Sequence, residues 1–296
     1  MQRFFIAGSL TPTNVRLLEA LRDLDVDACL LPAEDLGARV ASGDVVLARL
    51  DVRKTLDGVD GGIDELEQLE EDGLHVLNRS STLFSAHDKL VTAIRLSQAS
   101  LPHPRTSLAD EHPPHVPEPP VVVKPRFGSW GRDVMLCRTP RELSRTLRRL
   151  RNRPWFRRQG ALVQALVPPC GEDLRVVVAG DAVVGAINRV APPGEWRTNV
   201  ALGARRVPTV PPADACELAL AAARAIGADF VGVDLLPTPE GYVIIELNGC
   251  VDLTEEYSLD GTSVYGRIAD RLVAVADGVV APPVEDLRLE APLLTN

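Results

Sequence analysis

Residues 230–248 read FVGVDLLPTPEGYVIIELN, two apolar runs joined by a turn that contains proline and glycine. Each run has the length and composition of a strand, so the segment predicts an antiparallel hairpin. Because side chains alternate between the faces of a strand, Glu246 and Asn248 share one face, with Asp234 on the neighbouring strand. Two carboxylates and an amide at one point predict a site for Mg²⁺, which prefers oxygen ligands. A surface hairpin with outward polar positions explains the same pattern.

Composition limits the class of protein. The chain has 296 residues, 45% hydrophobic and 25% charged, which is enough for two or three domains with their own cores. Its formal net charge of −9 argues against a dedicated nucleic-acid binder. No apolar run reaches the roughly 18 residues that a membrane helix needs, and the start is too briefly apolar for a signal peptide. We therefore expect a cytoplasmic protein without nucleic-acid or membrane partners.

The cysteines are odd in number, widely spaced, and never arranged as C-x-x-C. They predict neither a disulfide framework nor a zinc site, which fits the reducing environment of the cytosol. The positions are Cys29, Cys137, Cys170, Cys216 and Cys250.

The apolar pattern divides the chain into blocks. Up to about residue 83, short apolar runs alternate with helical stretches at residues 14–23 and 63–72, which predicts a small parallel α/β unit. A helix over residues 88–100 and a proline-rich surface connection follow. From about residue 160, the pattern predicts hairpins and two helices, at residues 213–226 and 263–276.

Residues 138–158 form a basic stretch in which arginines recur every few residues beside leucines at helical spacing. The pattern predicts one amphipathic helix with Thr139 as N-cap, Pro140 in the first turn and Glu142 at the third position. An arginine-rich solvated face and a docking face for an acidic partner both explain the charge.

The stretch 120–134 places Lys124 at the end of an apolar strand, before a loop punctuated by Gly128 and Gly131. Backbone N–H groups of such a loop can approach phosphate oxygens, and the lysine adds a point charge. The loop is not a Walker A motif, because no G-K-[ST] follows the glycines. A simple hairpin turn explains the loop alone, but together with a downstream cation site it predicts nucleotide binding.

An ordered series of motifs over residues 87–276 resembles the ATP-grasp ligases, and specifically their RimK/LysX-like branch. The series is His87-Asp-Lys89, Val123-Lys-Pro125, Gly128-Ser-Trp-Gly-Arg132, Leu162-Val-Gln164, Gly171-Glu-Asp-Leu-Arg175, Glu195-Trp-Arg-Thr-Asn199, Val233-Asp-Leu-Leu236 and Glu246-Leu-Asn248. The glycine loop is most similar to the LysX side, whose members activate the carboxylate of an amino-acid carrier protein. RimK-type members instead extend acidic protein tails or small cofactors with glutamate.

The resemblance implies an α/β (α+β) fold, an ATP-grasp fold with an N-terminal Rossmann-like pre-ATP-grasp domain. This domain would occupy residues 1–83. The central subdomain with the glycine-rich lid would occupy 84–160, the C-terminal subdomain with the metal site 161–281, and a tail 282–296.

The resemblance also implies roles for individual residues. The two lysines would hold the α- and β-phosphates, a hinge would lie beside adenine, and Asp173 would contact the ribose. Arg175 and Arg189 would be the catalytic residues, stabilising charge on an acyl phosphate. The implied nucleotide-contacting residues are Lys89, Lys124, Gly128, Ser129, Trp130, Gly131, Gln164, Ala165, Leu166, Asp173, Arg197, Thr198 and Asn199. The implied metal ligands are Asp234, Glu246 and Asn248.

The implied activity is an ATP- and Mg²⁺-dependent ligation. A carboxylate would be activated as an acyl phosphate and joined to an amine, such as glutamate or a related amino acid, with release of ADP and phosphate. The resemblance implies ATP and two Mg²⁺ or Mn²⁺ ions as cofactors. The implied partners are an amino-acid or peptide-like substrate, a carrier protein or acidic protein tail, and further copies of the chain. The alternatives are a non-catalytic nucleotide-binding regulatory or scaffold protein and an ATP-grasp kinase.

The chain departs from the family pattern at two places. Ala165 stands where many members carry an acidic hinge residue, and residues 249–257 replace the usual small-residue and proline-glycine turn. In that turn, Glu255 and Glu256 would favour a cationic amine, although ordinary solvated residues explain them equally. We expect Cys250 to be a buried, inert thiol and His87 to be structural.

Overall fold

The first sheet forms from short runs that are apolar on both faces. Its four strands pair in parallel in the order β2-β1-β3-β4, as the sequence predicts. The strands are β1 (Arg3–Gly8), β2 (Asp27–Leu31), β3 (Val45–Arg49) and β4 (His75–Leu77). The connecting helices are α1 (Pro12–Asp23) and α2 (Ile63–Glu71). Helix α1 begins two residues before its predicted start, because the Thr11 side chain caps it by accepting from the Asn14 backbone N–H.

The computed structural model describes residues 2–109 and 116–278. The predicted tail at 282–296, the end of the predicted C-terminal subdomain and part of the proline-rich connection lie outside these ranges. Within them, no helix is long and apolar enough to cross a membrane.

The helix predicted at 88–100 is confirmed, and a second helix directly precedes it. They are α3 (Ser80–His87), which the sequence did not predict, and α4 (Lys89–Gln98). Asp88 separates them with an extended backbone, and its carboxylate accepts from the Leu90 N–H at 3.0 Å. This cap fixes the start of α4, so Lys89 occupies its first turn.

The second sheet is antiparallel, with strand order β5-β8-β6-β7. Its strands are β5 (Thr106–Ala109), β6 (Val121–Pro125), β7 (Met135–Cys137) and β8 (Ala161–Ala165). Because β8 pairs with both β5 and β6, it belongs to this sheet. The second sheet therefore continues to residue 165, five residues beyond the subdomain boundary predicted at residue 160.

The basic stretch forms two helices instead of the one predicted. They are α5 (Pro140–Leu150) and α6 (Pro154–Gln159). The predicted start is confirmed, since the Thr139 hydroxyl accepts from the Glu142 N–H at 3.2 Å. The break precedes Pro154, which has no backbone N–H to continue the first helix.

The third sheet is antiparallel in the order β11-β10-β9-β12-β13. Its strands are β9 (Glu172–Ala179), β10 (Ala182–Val190), β11 (Arg205–Pro208), β12 (Phe230–Thr238) and β13 (Gly241–Asn248). Helices α7 (Ala213–Ile226) and α8 (Val264–Ala276) pack against its two faces. The predicted hairpin is confirmed as β12–β13, and α7 has the predicted bounds.

Asn78, at the end of β4, joins the first sheet to the third. Its amide nitrogen donates to the Phe230 carbonyl at 2.6 Å, and its amide oxygen accepts from the N–H groups of Asp229 and Phe230, both at 3.0 Å. The Asn78 N–H donates in turn to the Asp229 carboxylate at 2.7 Å. Asn78 has no solvent exposure, so these bonds fix the start of β12 relative to the first sheet.

His87 joins three further segments. Its Nε2–H donates to the Leu50 carbonyl at 2.9 Å, and the residue directly precedes the cap of α4. Nε2 also lies so near Gly249, after β13, that a Cβ there would be 3.2 Å away. Burial lowers the pKa of His87 to about 4, so the ring is neutral at pH 7. The predicted structural role fits this arrangement.

We expect Asn78→Ala to lower the free energy of unfolding by about 3–5 kcal/mol, because it leaves the buried N–H groups of Asp229 and Phe230 and the Phe230 carbonyl without partners. Chemical denaturation at pH 7 measures this. Asn152→Ala, at an exposed position between α5 and α6, is the matched control and should change stability by less than about 0.5 kcal/mol. A loss at Asn78 no larger than at Asn152 would contradict the role assigned to Asn78.

His87 should also make stability depend on pH. The unfolded imidazole takes up its proton near pH 6.5 and the folded one only near pH 4, so acidification across this window favours unfolding. Relative to His87→Gln, which keeps a donor for Leu50, the wild type should lose about 3 kcal/mol between pH 7 and pH 4. Parallel pH profiles of the two proteins would contradict this.

Candidate active site

A cavity opens between the second and third sheets. All thirteen residues predicted to contact the nucleotide line it, although they come from segments up to about a hundred residues apart in the chain. Arg189, Asp234 and Glu246 line it as well. The two other predicted site residues, Arg175 and Asn248, line an adjoining second cavity.

A row of charged residues crosses one face of the third sheet. Strand register sets Arg206 of β11 opposite Arg189 of β10, and Arg189 opposite Asp173 of β9. Two residues along β9, on the same face, Arg175 lies opposite Asp234 of β12, which lies opposite Glu246 of β13. Adjacent strands therefore supply side chains of both signs to the boundary between the two cavities.

Asp234 is the centre of this row and is 4% exposed. Arg175 donates to both of its oxygens through Nε and Nη2, at 2.6 and 2.8 Å, and Arg189 Nη2 donates to one of them at 2.7 Å. Burial alone would raise the pKa of Asp234, but the two guanidinium groups hold it at about 2. The carboxylate is therefore ionised at neutral pH.

Asp173, also buried, pairs with Arg189 as well. It accepts from Arg189 Nε at 2.8 Å and from the Thr198 hydroxyl at 2.6 Å. A ribose hydroxyl bound by Asp173, as predicted, would share its carboxylate with these two donors.

Lys89 reaches the cavity from the first turn of α4. Its ammonium lies 3.0 Å from Glu246 Oε1 and donates to the Gly128 carbonyl at 2.6 Å. The lysine thus joins a predicted metal ligand to the glycine loop. Asp88, which caps the helix, pairs with Arg126 at the base of the same loop.

Lys124 is 5% exposed and donates to the Gln164 side chain at 2.9 Å. Burial lowers its pKa to about 8. The Gln164 amide donates onward to the Thr106 hydroxyl at 2.9 Å. The side chain of Gln164 therefore orients the lysine, a role that its predicted place in the adenine hinge did not indicate.

The predicted hinge has few free backbone donors. The N–H groups of Ala165 and Leu166 already donate to the carbonyls of Arg105 and Pro120, at 2.9 and 3.1 Å. The neighbouring Val167 also lines the cavity.

The glycine loop needs glycine at residue 131. Its φ is +68°, and a Cβ there would lie 2.6 Å from Asn199 Oδ1. Arg197 donates to the Gly131 carbonyl at 3.2 Å and pairs with Glu195 at 2.8 Å. Arg197 therefore holds the loop against the opposite wall of the cavity.

The three predicted metal ligands have the chemistry that Mg²⁺ prefers, two carboxylates and one amide. Gly232 lies opposite Asn248 and Asp234 opposite Glu246, which sets all three at the end of the hairpin nearest the cavities. The Asn248 amide nitrogen is buried without a hydrogen-bond partner among the described residues. Rotation of this amide by 180° would turn its oxygen toward that position, so the donor set fits a magnesium ion.

A bulge after Asp234 adds a residue that the sequence pattern missed. The register passes from Glu246 opposite Asp234 to Ile244 opposite Leu235, so Ile245 is the extra residue and lines the nucleotide cavity.

Residues 249–257 have a different role from the one predicted for their glutamates. Cys250, Val251, Asp252 and Tyr257 line the second cavity, whereas Glu255 and Glu256 do not. Glu255 pairs with Arg16 at 3.0 Å on the outer surface. Burial raises the pKa of Cys250 to about 11, which agrees with the expected inert thiol. Asp51 and Arg206, which sequence reasoning missed, complete the cavity wall.

Comparison with known proteins was consistent with this geometry. The model of the RimK-like ATP-grasp domain matches residues 86–272. A protein of Thioalkalivibrio sulfidiphilus named probable alpha-L-glutamate ligase is 31% identical over 275 residues, covering 90% of this chain and 89% of the relative. The alpha-aminoadipate–LysW ligase LysX of Sulfolobus acidocaldarius is 31% identical over 204 residues, covering 67% and 74%.

Among solved structures, a RimK domain ATP-grasp protein from Sphaerobacter thermophilus superimposes with a TM-score of 0.65 at 22% identity, covering 90% of this chain and 98% of that one. This likeness confirms the predicted ATP-grasp fold. The matched domain spans well over half of the sequence and contains every predicted site residue. The chain therefore belongs to the RimK-like ATP-grasp family.

Proposed function

We propose that this chain is an ATP- and Mg²⁺-dependent carboxylate–amine ligase. It activates a carboxylate as an acyl phosphate and joins it to an amine, and it releases ADP and phosphate. The observation that carries the proposal is the meeting of Lys89, Lys124 and Glu246 at one cavity. Lysine ammonium groups match phosphate charge, and carboxylates match a cation bound to phosphate.

In the proposed mechanism, Lys89 and Lys124 hold the phosphates of ATP and the glycine loop covers them. Asp234, Glu246 and Asn248 would hold Mg²⁺, which supplies positive charge against the phosphate oxygens when bound. Lys89 would exchange its contact with Glu246 for one with phosphate. A carboxylate oxygen of the first substrate attacks the γ-phosphorus in line, and ADP leaves.

The resulting acyl phosphate carries charge that Arg175 and Arg189 are arranged to stabilise. Both guanidinium groups bind carboxylates through Nε and Nη2, and Nη1 of each makes no hydrogen bond among the described residues. Because Asp234 already orients the two groups, little reorganisation is required when charge develops. The amine then attacks the acyl carbon, an amide forms, and phosphate leaves.

A carrier protein or an acidic protein tail is the proposed source of one substrate. The name of one relative specifies a ligase that acts on LysW. In this chain, the exposed side of α5 carries several arginines and few acids, which suits an acidic polypeptide. An assembly of several copies and the use of two metal ions remain predictions.

Product analysis tests the function. With ATP and Mg²⁺, ADP release should require both a carboxylate and an amine, and Glu246→Gln should reduce it at least 100-fold by removing a charged group from the reaction centre. Glu240→Gln, in the exposed turn of the same hairpin, is the matched control. A phosphate ester as product would indicate a kinase, and ATP binding without turnover under any pairing would favour the scaffold alternative.

Lys124 should contribute to nucleotide affinity. We expect Lys124→Met to weaken ATP binding by about 10- to 100-fold in calorimetry, the range for one charge-assisted contact. Lys54→Met, an exposed lysine outside the cavity, should leave affinity unchanged. Equal affinities of the two variants would remove Lys124 from the phosphate site.

A further inference from the structure

The second cavity contains charged side chains that form no ion pair within residues 2–109 and 116–278. Of its six charged side chains, Arg175 and Arg189 are paired with buried carboxylates, and Glu246 with Lys89. The other three have no ion-pair partner among the described residues. They are Arg206, Asp51 and Asp252.

Arg206 needs an anion. It lies on the edge strand β11 directly opposite Arg189, and like charges at such positions repel one another. Its Nε is buried and has no hydrogen-bond partner in the part of the chain that the structure describes. Asp173 and Asp234 already neutralise Arg189, so no carboxylate of the row is left for Arg206.

Asp51 needs a cation. It follows β3, and the only hydrogen bond to its carboxylate among the described residues comes from the adjacent Val52 N–H, at 2.6 Å. Burial, with the nearby Asp252 and Asp60, raises the pKa of Asp51 to about 6, so the ionised form is costly at pH 7. A positively charged ligand group beside it would remove that cost.

The proposed function places an amino-acid substrate beside the reaction centre, and this inference rests on that function. We propose that the second cavity binds an α-amino acid through Arg206 for its carboxylate and through Asp51 and Asp252 for its ammonium groups. The cavity thereby selects neutral and basic amino acids over dicarboxylic ones. A second carboxylate would meet two unpaired carboxylates and only one free guanidinium.

This selectivity would come from other residues than Glu255 and Glu256, to which the sequence analysis attributed a preference for a cationic amine. Glu255 and Glu256 lie outside the cavity, so the charge that excludes an acidic substrate comes from Asp51, in the loop after β3, and from Asp252. Since these two residues belong to the first and last parts of the chain, only the folded protein brings them together.

Calorimetry with L-ornithine, L-alanine and L-glutamate tests the inference. The full chain is first titrated with ADP and Mg²⁺, so that a failure of nucleotide binding, which would contradict the proposed function, is seen separately. In the presence of ADP, ornithine should bind at least tenfold more tightly than glutamate. Arg206→Gln should weaken binding of all three amino acids at least tenfold, because each has an α-carboxylate.

Asp51→Asn combined with Asp252→Asn should abolish the preference for ornithine, and Glu256→Gln, on the same loop but outside the cavity, should retain it. Asp51→Asn alone should be at least as stable as the wild type in thermal melts, because it removes a half-buried charge that has no ion-pair partner among the described residues. Three results would overturn the inference: glutamate binding as tightly as ornithine, an unchanged preference in the double variant, or binding of none of the three.

Discussion

The buried carboxylate of Asp234 is the constraint on which the site depends. An ionised group can stay within a sheet only when opposite charge and hydrogen bonds replace the lost water, and here Arg175 and Arg189 supply both. Removal of one partner from such a pair typically costs about 3–5 kcal/mol, because the remaining charge is left uncompensated. The same contacts align β9, β10 and β12. The interactions that stabilise the sheet therefore also fix the geometry of the reaction centre.

Features set by nearby residues could be predicted from the sequence. The β12–β13 hairpin, the bounds of α7 and the Thr139 cap all follow from short-range patterns of apolar residues, turns and capping side chains. The residues that line the nucleotide cavity could be predicted from the ordered series of motifs. Lysine usage carried a further signal: of the 32 lysines and arginines only three are lysines, and Lys89 and Lys124 are two of them.

Features set by distant contacts could not be predicted. Helix α3 has only a weak apolar stripe, and its position depends on Asn78 and His87, whose partners lie in other parts of the chain. The bulge at Ile245 changes the register by one residue, which an alternating pattern cannot indicate. Asp51 and Arg206 belong to no sequence motif. They line one cavity only because a loop of the first block faces an edge strand of the third sheet in the folded chain.

The two cavities differ in the structures that build them, and this affects how the chain can change over evolutionary time. The charged residues of the nucleotide cavity lie mainly on paired strands and a helix start, where a substitution disturbs the sheets. The unpaired charges of the second cavity lie on two loops and one edge strand, which tolerate replacement at small cost in stability. New substrate preferences can therefore evolve by exchange of a few peripheral residues while the phosphate chemistry is inherited unchanged.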